Sequence, residues 1–335
     1  MELLLPFSID PSQHKISYAD KIFLIGSCFT EEIGNRLKDL KFNVLQNPNG
    51  ILYDPGSIAH ALNSYIENKV YDNDDLFLLN DLWHSWQHHS FFSGMDKENV
   101  LKKINQHQNE AHVFLKETKW LIITAGTAYR YKLARSGEPV ANCHKAPSSD
   151  FTKELLPIEL IVSELSLVIS NLQVFNPDLK IIFTISPVRH VRDGVTENNR
   201  SKARLIEAIH LIKDQFQNAC FYFPAYEIII DVLRDYRFYK TDRVHPTEEA
   251  IDFVFENFCN AFLDKTSGDL IEEIKKINAA INHRPFNESG LAHQKFKRAQ
   301  LEKIKSMKLQ FPFISFLKEE EYFSGNKVAV SNHIA

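Results

Sequence analysis

The feature that most constrains this chain is a recurring alternation of short apolar runs with longer amphipathic stretches. Residues 21–25 (KIFLI), 120–124 (WLIIT) and 180–186 (KIIFTIS) are apolar at nearly every position. Strands of that kind need cover on both faces, which a parallel sheet flanked by helices provides. Shorter runs at 42–45 and 220–223 extend the pattern. Helical spacing predicts helices over residues 30–40, 55–67, 98–114, 154–172, 201–216 and 250–262. Thr30 is placed to cap the first of these, with Glu31 and Glu32 at its positive end. The expected fold class is therefore α/β. After Thr266-Ser267-Gly268 the alternation weakens, and Leu270, Ile271, Ile274, Ile277 and Ile281 recur at helical spacing. A further helical pattern spans 291–309, and the tail from Phe311 reads as irregular. The expected organisation is a domain over 1–265 with a helical extension over 266–335 packed on its core. Six Lys/Arg against one acid in 291–309 read as a solvated face in preference to a basic docking surface.

Composition enters by exclusion. With 44% hydrophobic and 24% charged residues, the chain is too apolar to be disordered. A net charge of -4 opposes a general nucleic-acid binder. Cys28, Cys143, Cys220 and Cys259 show no C-x-x-C spacing, so neither a zinc ribbon nor a disulfide scaffold is expected. No apolar run approaches the roughly 20 residues that span a bilayer. The start, Met1-Glu2-Leu3-Leu4-Leu5-Pro6, lacks a basic leader. The expectation is a cytoplasmic enzyme or binding protein, without a membrane or nucleic-acid partner.

Two segments carry chemistry. Ser27 lies in Ile25-Gly26-Ser27-Cys28-Phe29, between a predicted strand and a predicted helix, where open α/β sheets place reactive groups. A serine there sits near the positive end of the helix dipole, and the Cys28 backbone N–H is placed to stabilise an oxyanion. Phe29 replaces the second glycine of the G-x-S-x-G elbow, and the tripeptide alone reads as a plain Gly-Ser turn in preference to a catalytic one. The second segment, Thr241-Asp242-Arg243-Val244-His245-Pro246-Thr247, sets an acid three residues before a histidine. Pro246 keeps His245 out of helical geometry and suits a first helical position. Asp242 can then hold one ring nitrogen while the other takes the Ser27 proton.

On these residues the chain resembles the GSCFA family. Gly26-Ser27-Cys28-Phe29-Thr30 is similar to the motif that names it, with Thr30 in place of the final alanine. That family is related to the SGNH (GDSL-type) hydrolases. The resemblance implies a three-layer α/β/α flavodoxin-like fold, a nucleophilic serine after the first strand and an Asp-x-x-His pair near the end. It spans about residues 21–262 and is also carried by Asn47-Pro48-Asn49-Gly50, residues 83–89, Gly126-Thr127-Ala128, Asn142-Cys143-His144-Lys145 and Ser186-Pro187-Val188-Arg189. The chain departs from these relatives where Cys28 follows the serine. It departs again where Gly126-Thr127-Ala128-Tyr129 stands for a Gly-x-Asn-Asp block without its asparagine. Oxyanion stabilisation is then expected from Thr127, from Asn142, or from the backbone N–H groups of Cys28 and Gly50. Losing one such donor costs about 3 kcal/mol in the transition state.

Other residues carry two readings each. Trp86 and His88, in Trp83-His84-Ser85-Trp86-Gln87-His88-His89, line a substrate site or belong to a structural segment with partly buried rings. His84 and His88 have a metal-ligand spacing on a helix, but the glutamate of H-E-x-x-H is absent and no metal is expected. Asn142 and His144 are site donors or parts of a surface loop. Arg189, after the fourth strand, is expected to meet an anionic substrate group. Cys28 reads as a packing residue, with a rival thiol nucleophile as the alternative. The function expected is an SGNH-type serine esterase without a cofactor, acting on an O-acyl ester of a small molecule or, by the resemblance, a glycan. Ser27 attacks, His245 is base and then acid, and Asp242 orients it. The alternatives are an acyltransferase with the same triad and a catalytically silent carbohydrate-binding protein on the same fold.

Overall fold

The computed structural model describes residues 5–283, 287 and 290–325. The first half of the chain gives β1 (Lys21–Gly26), α1 (Cys28–Asp39), β2 (Asn43–Gln46), α2 (Pro55–Glu67), β3 (Phe77–Leu79), β4 (Leu82–His84), α3 (Lys97–Lys116), β5 (Trp120–Ala125), β6 (Tyr129–Leu133), β7 (Pro139–Val140) and β8 (Phe151–Leu155). The second gives α4 (Ile158–Phe175), β9 (Lys180–Ile185), α5 (Val195–Gln215), β10 (Cys220–Tyr222), the short α6 (Ala225–Glu227), α7 (Glu248–Phe262), α8 (Lys265–Asn282), α9 (Leu291–Gln310) and α10 (Leu317–Ser324).

Five strands form one parallel sheet in the order β10-β9-β5-β1-β2. Counted among the core strands alone, this is the flavodoxin-like 2-1-3-4-5 order, whose direction of growth reverses between β1 and β5. Alternation along each strand divides the core. Ile22, Leu24, Trp120 and Ile122 join the α1 and α7 side, while Phe23, Ile25, Leu121 and Ile123 join the α2, α4 and α5 side. The result is three layers, α/β/α. Leu270, Ile271, Ile274 and Ile277 of α8 and Ile304 of α9 continue the α1 and α7 core without a break.

Helix starts follow from local chemistry. Asp54 caps α2 by accepting from the Gly56 and Ser57 amides, with Pro55 at the first turn. Thr247 caps α7 through the Ala250 amide, and Asp264 caps α8 through that of Ser267. The helix expected from residue 154 begins at Ile158, because Pro157 disfavours helical geometry at Leu156. Phe151–Leu155 instead pairs antiparallel with β6, and β7 completes that small sheet. The tail expected to be irregular contains α10. α4 is long and apolar enough to cross a membrane by length and composition, although Glu159 and Glu164 interrupt its apolar run. Its Ile161, Leu165, Val168, Ile169 and Leu172 are buried in the core beside α2 and α5.

Candidate active site

The site grows from the carboxyl end of β1. Gly26 has φ +142°, and a Cβ there would lie 2.2 Å from the Thr124 carbonyl oxygen of β5, so only glycine lets the two strand ends come this close. Ser27 follows as the N-cap of α1, but its side chain makes no capping bond. Its amide donates to Thr124 O at 3.1 Å. The Ser27 residue is 1% exposed, and its Oγ has no hydrogen-bond partner among the described residues. A Cβ on Gly126 would stand 3.3 Å from Ser27 Cβ and 3.2 Å from Tyr53 Cδ1, which places both Gly126 and Tyr53 close beside the serine. The Thr30 amide turns back to Ser27 O at 2.9 Å, leaving the Cys28 and Phe29 amides to open the helix. Burial pushes the Cys28 thiol up, with Glu31 and Glu32 adding to it, which suits packing better than nucleophilic duty.

The Asp242 and His245 loop is a formed hydrogen-bonding unit. His245 Nδ1 donates to Asp242 Oδ2 at 2.7 Å. The other carboxylate oxygen accepts from the His245 and Val244 amides at 3.0 and 2.9 Å. These two amides, with the imidazole, hold the Asp242 carboxyl well below the usual carboxylate range. Both side chains are about half exposed. Ser27, at the end of β1, and this loop lie at the same carboxyl end of the sheet, the loop being tied to the segment after β9 through Arg189. No hydrogen bond joins Ser27 Oγ to the His245 ring.

Arg189 is tied to the loop that carries the histidine. Its Nη1 donates to Arg243 O at 3.1 Å, its Nη2 to Tyr239 Oη at 3.0 Å, and its guanidinium stacks 4.2 Å from the Tyr239 ring centre. These contacts brace the histidine loop and use two of the five guanidinium N–H groups.

The oxyanion candidates divide similarly. The Gly50 amide is taken by Asn47 O at 2.7 Å in a tight turn, which corrects its expected role. The Thr127 hydroxyl bonds Ser201 Oγ at 3.0 Å and accepts from the Tyr129 amide at 3.1 Å, so it ties β6 to α5. Asn142 Oδ1 accepts from the His144 amide at 2.8 Å, and the Asn142 amide reaches Trp86 O. Trp86 and His144 belong to a ring cluster with Phe77 and His84, whereas His88 packs against Tyr71 and Phe92. Trp86 stacks on Phe77 at 3.6 Å, and His144 Nε2 donates to the Ser85 carbonyl at 2.8 Å. Burial pushes His88 down to about 3 and His144 to about 4. His84 ends a strand and His88 lies in the loop beyond it, so the helical metal-ligand spacing does not form. A cavity of about 460 Å³ next to Trp86 is lined also by His60, Ser85, Gln87, Arg130 and Glu164, and includes none of Ser27, Asp242 and His245.

Two residues without an assigned role at the sequence level stand at the serine. Asn47 accepts the Gly26 amide through its side chain at 2.9 Å. Lys202 is 1% exposed and donates to Gly126 O and Ser186 O at 2.6 Å each, tying the ends of β5 and β9. Burial lowers it to about 7, and two carbonyls are satisfied even by the neutral amine. The signal for Lys202 was in the sequence. It shares the apolar stripe of α5 with Leu205, Ile209 and Ile212.

A family model for the GSCFA family matches residues 21–258, and one for the C-terminal domain of GSCFA proteins matches 274–325. No curated protein matches the chain. Among solved structures it is similar to a carbohydrate esterase family 3 protein from Talaromyces cellulolyticus, at 8% identity and a TM-score of 0.35 over 77% of this chain and 99% of that one. It is similar also to a mutant acetyl esterase with acetate ion, at 10% identity and a TM-score of 0.34 over 77% and 99%. A third is the acetyl xylan esterase Est2A from the rumen bacterium Butyrivibrio proteoclasticus, at 11% identity and a TM-score of 0.33 over 80% and 66%.

Proposed function

We propose that this chain, which belongs to the GSCFA family, is a serine esterase that cleaves O-acyl esters with Ser27, His245 and Asp242. The observation that carries this reading is the 2.7 Å contact between His245 Nδ1 and Asp242 Oδ2. A carboxylate only accepts, so the ring must donate there, and Nε2 is left as the base. Ser27 Oγ adds to the ester carbonyl, its proton passes to Nε2, and the same proton then goes to the departing alcohol. Water resolves the acyl-enzyme by the reverse use of His245. The buried Ser27 Oγ requires an opening movement near Tyr53 before an ester can reach it, and serine–base bonds are often long until substrate is bound.

That same burial is what favours a second reading, a catalytically silent binding protein on this fold. A fluorophosphonate probe, with the adduct mapped by mass spectrometry, separates the two. In the esterase reading the label falls on Ser27, and Ser27→Ala removes both the label and p-nitrophenyl acetate turnover, by about 10⁶-fold. Cys28→Ser keeps both, since it keeps the backbone N–H. A native protein that neither labels nor turns over is the silent one. Retained activity in Ser27→Ala with loss in Cys28→Ser moves the nucleophile to sulfur. Adding an acceptor alcohol and analysing products distinguishes hydrolysis from acyl transfer.

A further inference from the structure

We propose that Asn47 is the side-chain donor of the oxyanion hole, its Nδ2 group hydrogen-bonding the ester carbonyl oxygen as that oxygen gains charge. The inference rests on the esterase reading above and supplies the donor that the Gly126-Thr127-Ala128-Tyr129 segment lacks.

Asn47 follows β2 at the carboxyl end of the sheet, beside β1. It adopts φ +45°, a left-handed conformation that asparagine tolerates better than most residues. Its amide donates to Leu24 O at 2.9 Å, continuing the ladder between the two strands, and its Oδ1 accepts the Gly26 amide at 2.9 Å. That second bond fixes which end of the side chain is which. An N–H must be met by oxygen, so the amide group cannot be flipped, and Nδ2 is the remaining end. Nδ2 is buried and has no hydrogen-bond partner among the described residues. The residue is 8% exposed. Ser27 Oγ has the same status, one residue beyond the glycine that Asn47 holds.

Buried polar groups are nearly always paired, and each exception calls for an explanation, a catalytic role among them. Here a buried donor and a buried hydroxyl stand unpaired on the neighbouring ends of β2 and β1. The other candidate donors are occupied or elsewhere. The Gly50 amide bonds Asn47 O, the Thr127 hydroxyl bonds Ser201, and Asn142 sits after β7 with its backbone amide on Trp86 O. In the reaction, Ser27 Oγ forms a bond to the carbonyl carbon while its proton moves to His245 Nε2. The π pair of the carbonyl moves onto oxygen. That oxygen then accepts from Asn47 Nδ2 and from the Cys28 amide at the start of α1. Collapse of the intermediate restores the carbonyl and expels the alcohol with the proton returned by His245.

Asn47→Asp tests the assignment because it keeps an oxygen for the Gly26 amide and replaces only the donor. The expected result is a fall in kcat for p-nitrophenyl acetate of about 10²–10³-fold with KM little changed. Fluorophosphonate labelling of Ser27 should slow in parallel, since the phosphonyl oxygen occupies the same place. A protonated carboxyl is itself a donor, so the ratio of variant to native activity should rise as pH falls, which a merely structural role would not produce. A folded Asn47→Asp that keeps native kcat and labelling overturns the assignment. Should the variant not fold, the native protein still decides. On phosphonylation of Ser27 the Asn47 side-chain amide proton should move downfield in the NMR spectrum, and an unmoved resonance overturns the proposal. A native protein that takes no label overturns the serine chemistry itself, and the Asn47 role with it. Labelling of the native protein with an indifferent Asn47 overturns the Asn47 role alone.

Discussion

His245 and the pair His88 and His144 are the same side chain in opposite settings. His245 stands half exposed on a loop, its Nδ1 on a carboxylate and no polar partner on its Nε2 among the described residues. His88 is 1% exposed, bonded to Ser85 Oγ at 2.9 Å and packed edge-on against Tyr71 and Phe92. His144 is bonded to a backbone carbonyl and packed at an angle among rings. Burial penalises the imidazolium at His88 and His144, so both stay neutral and act as rigid polar wedges. At His245 the nearby carboxylate is positioned to stabilise the imidazolium that a proton transfer would create. An imidazole is therefore suited to acid–base work by its partner and its access, not by its presence in a motif.

The strongest test of that contrast is Asp242→Asn. The amide keeps the shape of the loop but presents a donor or a neutral acceptor to Nδ1, so His245 loses both its tautomer control and its counter-charge. Ester turnover should fall about 10⁴-fold. The thermal midpoint should barely move, because Asp242 is exposed and its partners lie within its own loop. A large drop in stability with turnover intact would reverse the roles assigned to the two regions.

His88→Gln probes the other side. In the folded protein His88 sits at about 3, against an unfolded value of about 6.5. Above pH 6.5 both states are neutral and the group makes no pH-dependent contribution. As pH falls below 6.5 the unfolded chain takes a proton that the folded one refuses, so stability is lost on acidification toward pH 3. At pH 4.5 this amounts to about 2–3 kcal/mol. Urea midpoints at pH 7 and pH 4.5 should show a smaller acid loss in His88→Gln than in the native protein. Equal losses would mean that His88 is not held neutral by burial.

The layered fold was legible because its strands are apolar on both faces. KIFLI, WLIIT and KIIFTIS admit little but a covered parallel sheet. The small antiparallel pieces were not legible. β3, β4 and β7 are three residues or fewer, too short for a period to show. At the site, the Asp242 and His245 bond could be anticipated from a three-residue spacing within one loop. What could not be read was which polar groups are already spent. The Gly50 amide looks available in sequence and is committed to Asn47 O, and the Arg189 guanidinium has partners that sequence spacing does not reveal. Asn47 shows the converse, a residue inside a recognisable segment whose unpaired nitrogen appears only in three dimensions.

Arg189 gives the smallest effect and separates two meanings of a basic residue near a site. As an anion contact it would raise KM for anionic esters and leave neutral ones alone. As a brace it acts through His245, because its hydrogen bonds to Arg243 O, between Asp242 and His245, and to Tyr239 Oη hold the loop that carries them. The geometry supports the brace. Arg189→Ala should then lower kcat by about tenfold to a hundredfold, the usual consequence of misplacing a catalytic group by about 1 Å. KM should be unchanged, and p-nitrophenyl acetate and a succinylated ester should suffer equally. Arg189→Lys should rescue little, since a lysine offers neither the two-pronged donor nor the flat face that rests on Tyr239. A KM increase confined to the anionic ester, relieved by lysine, would return Arg189 to the substrate and leave the loop to hold itself.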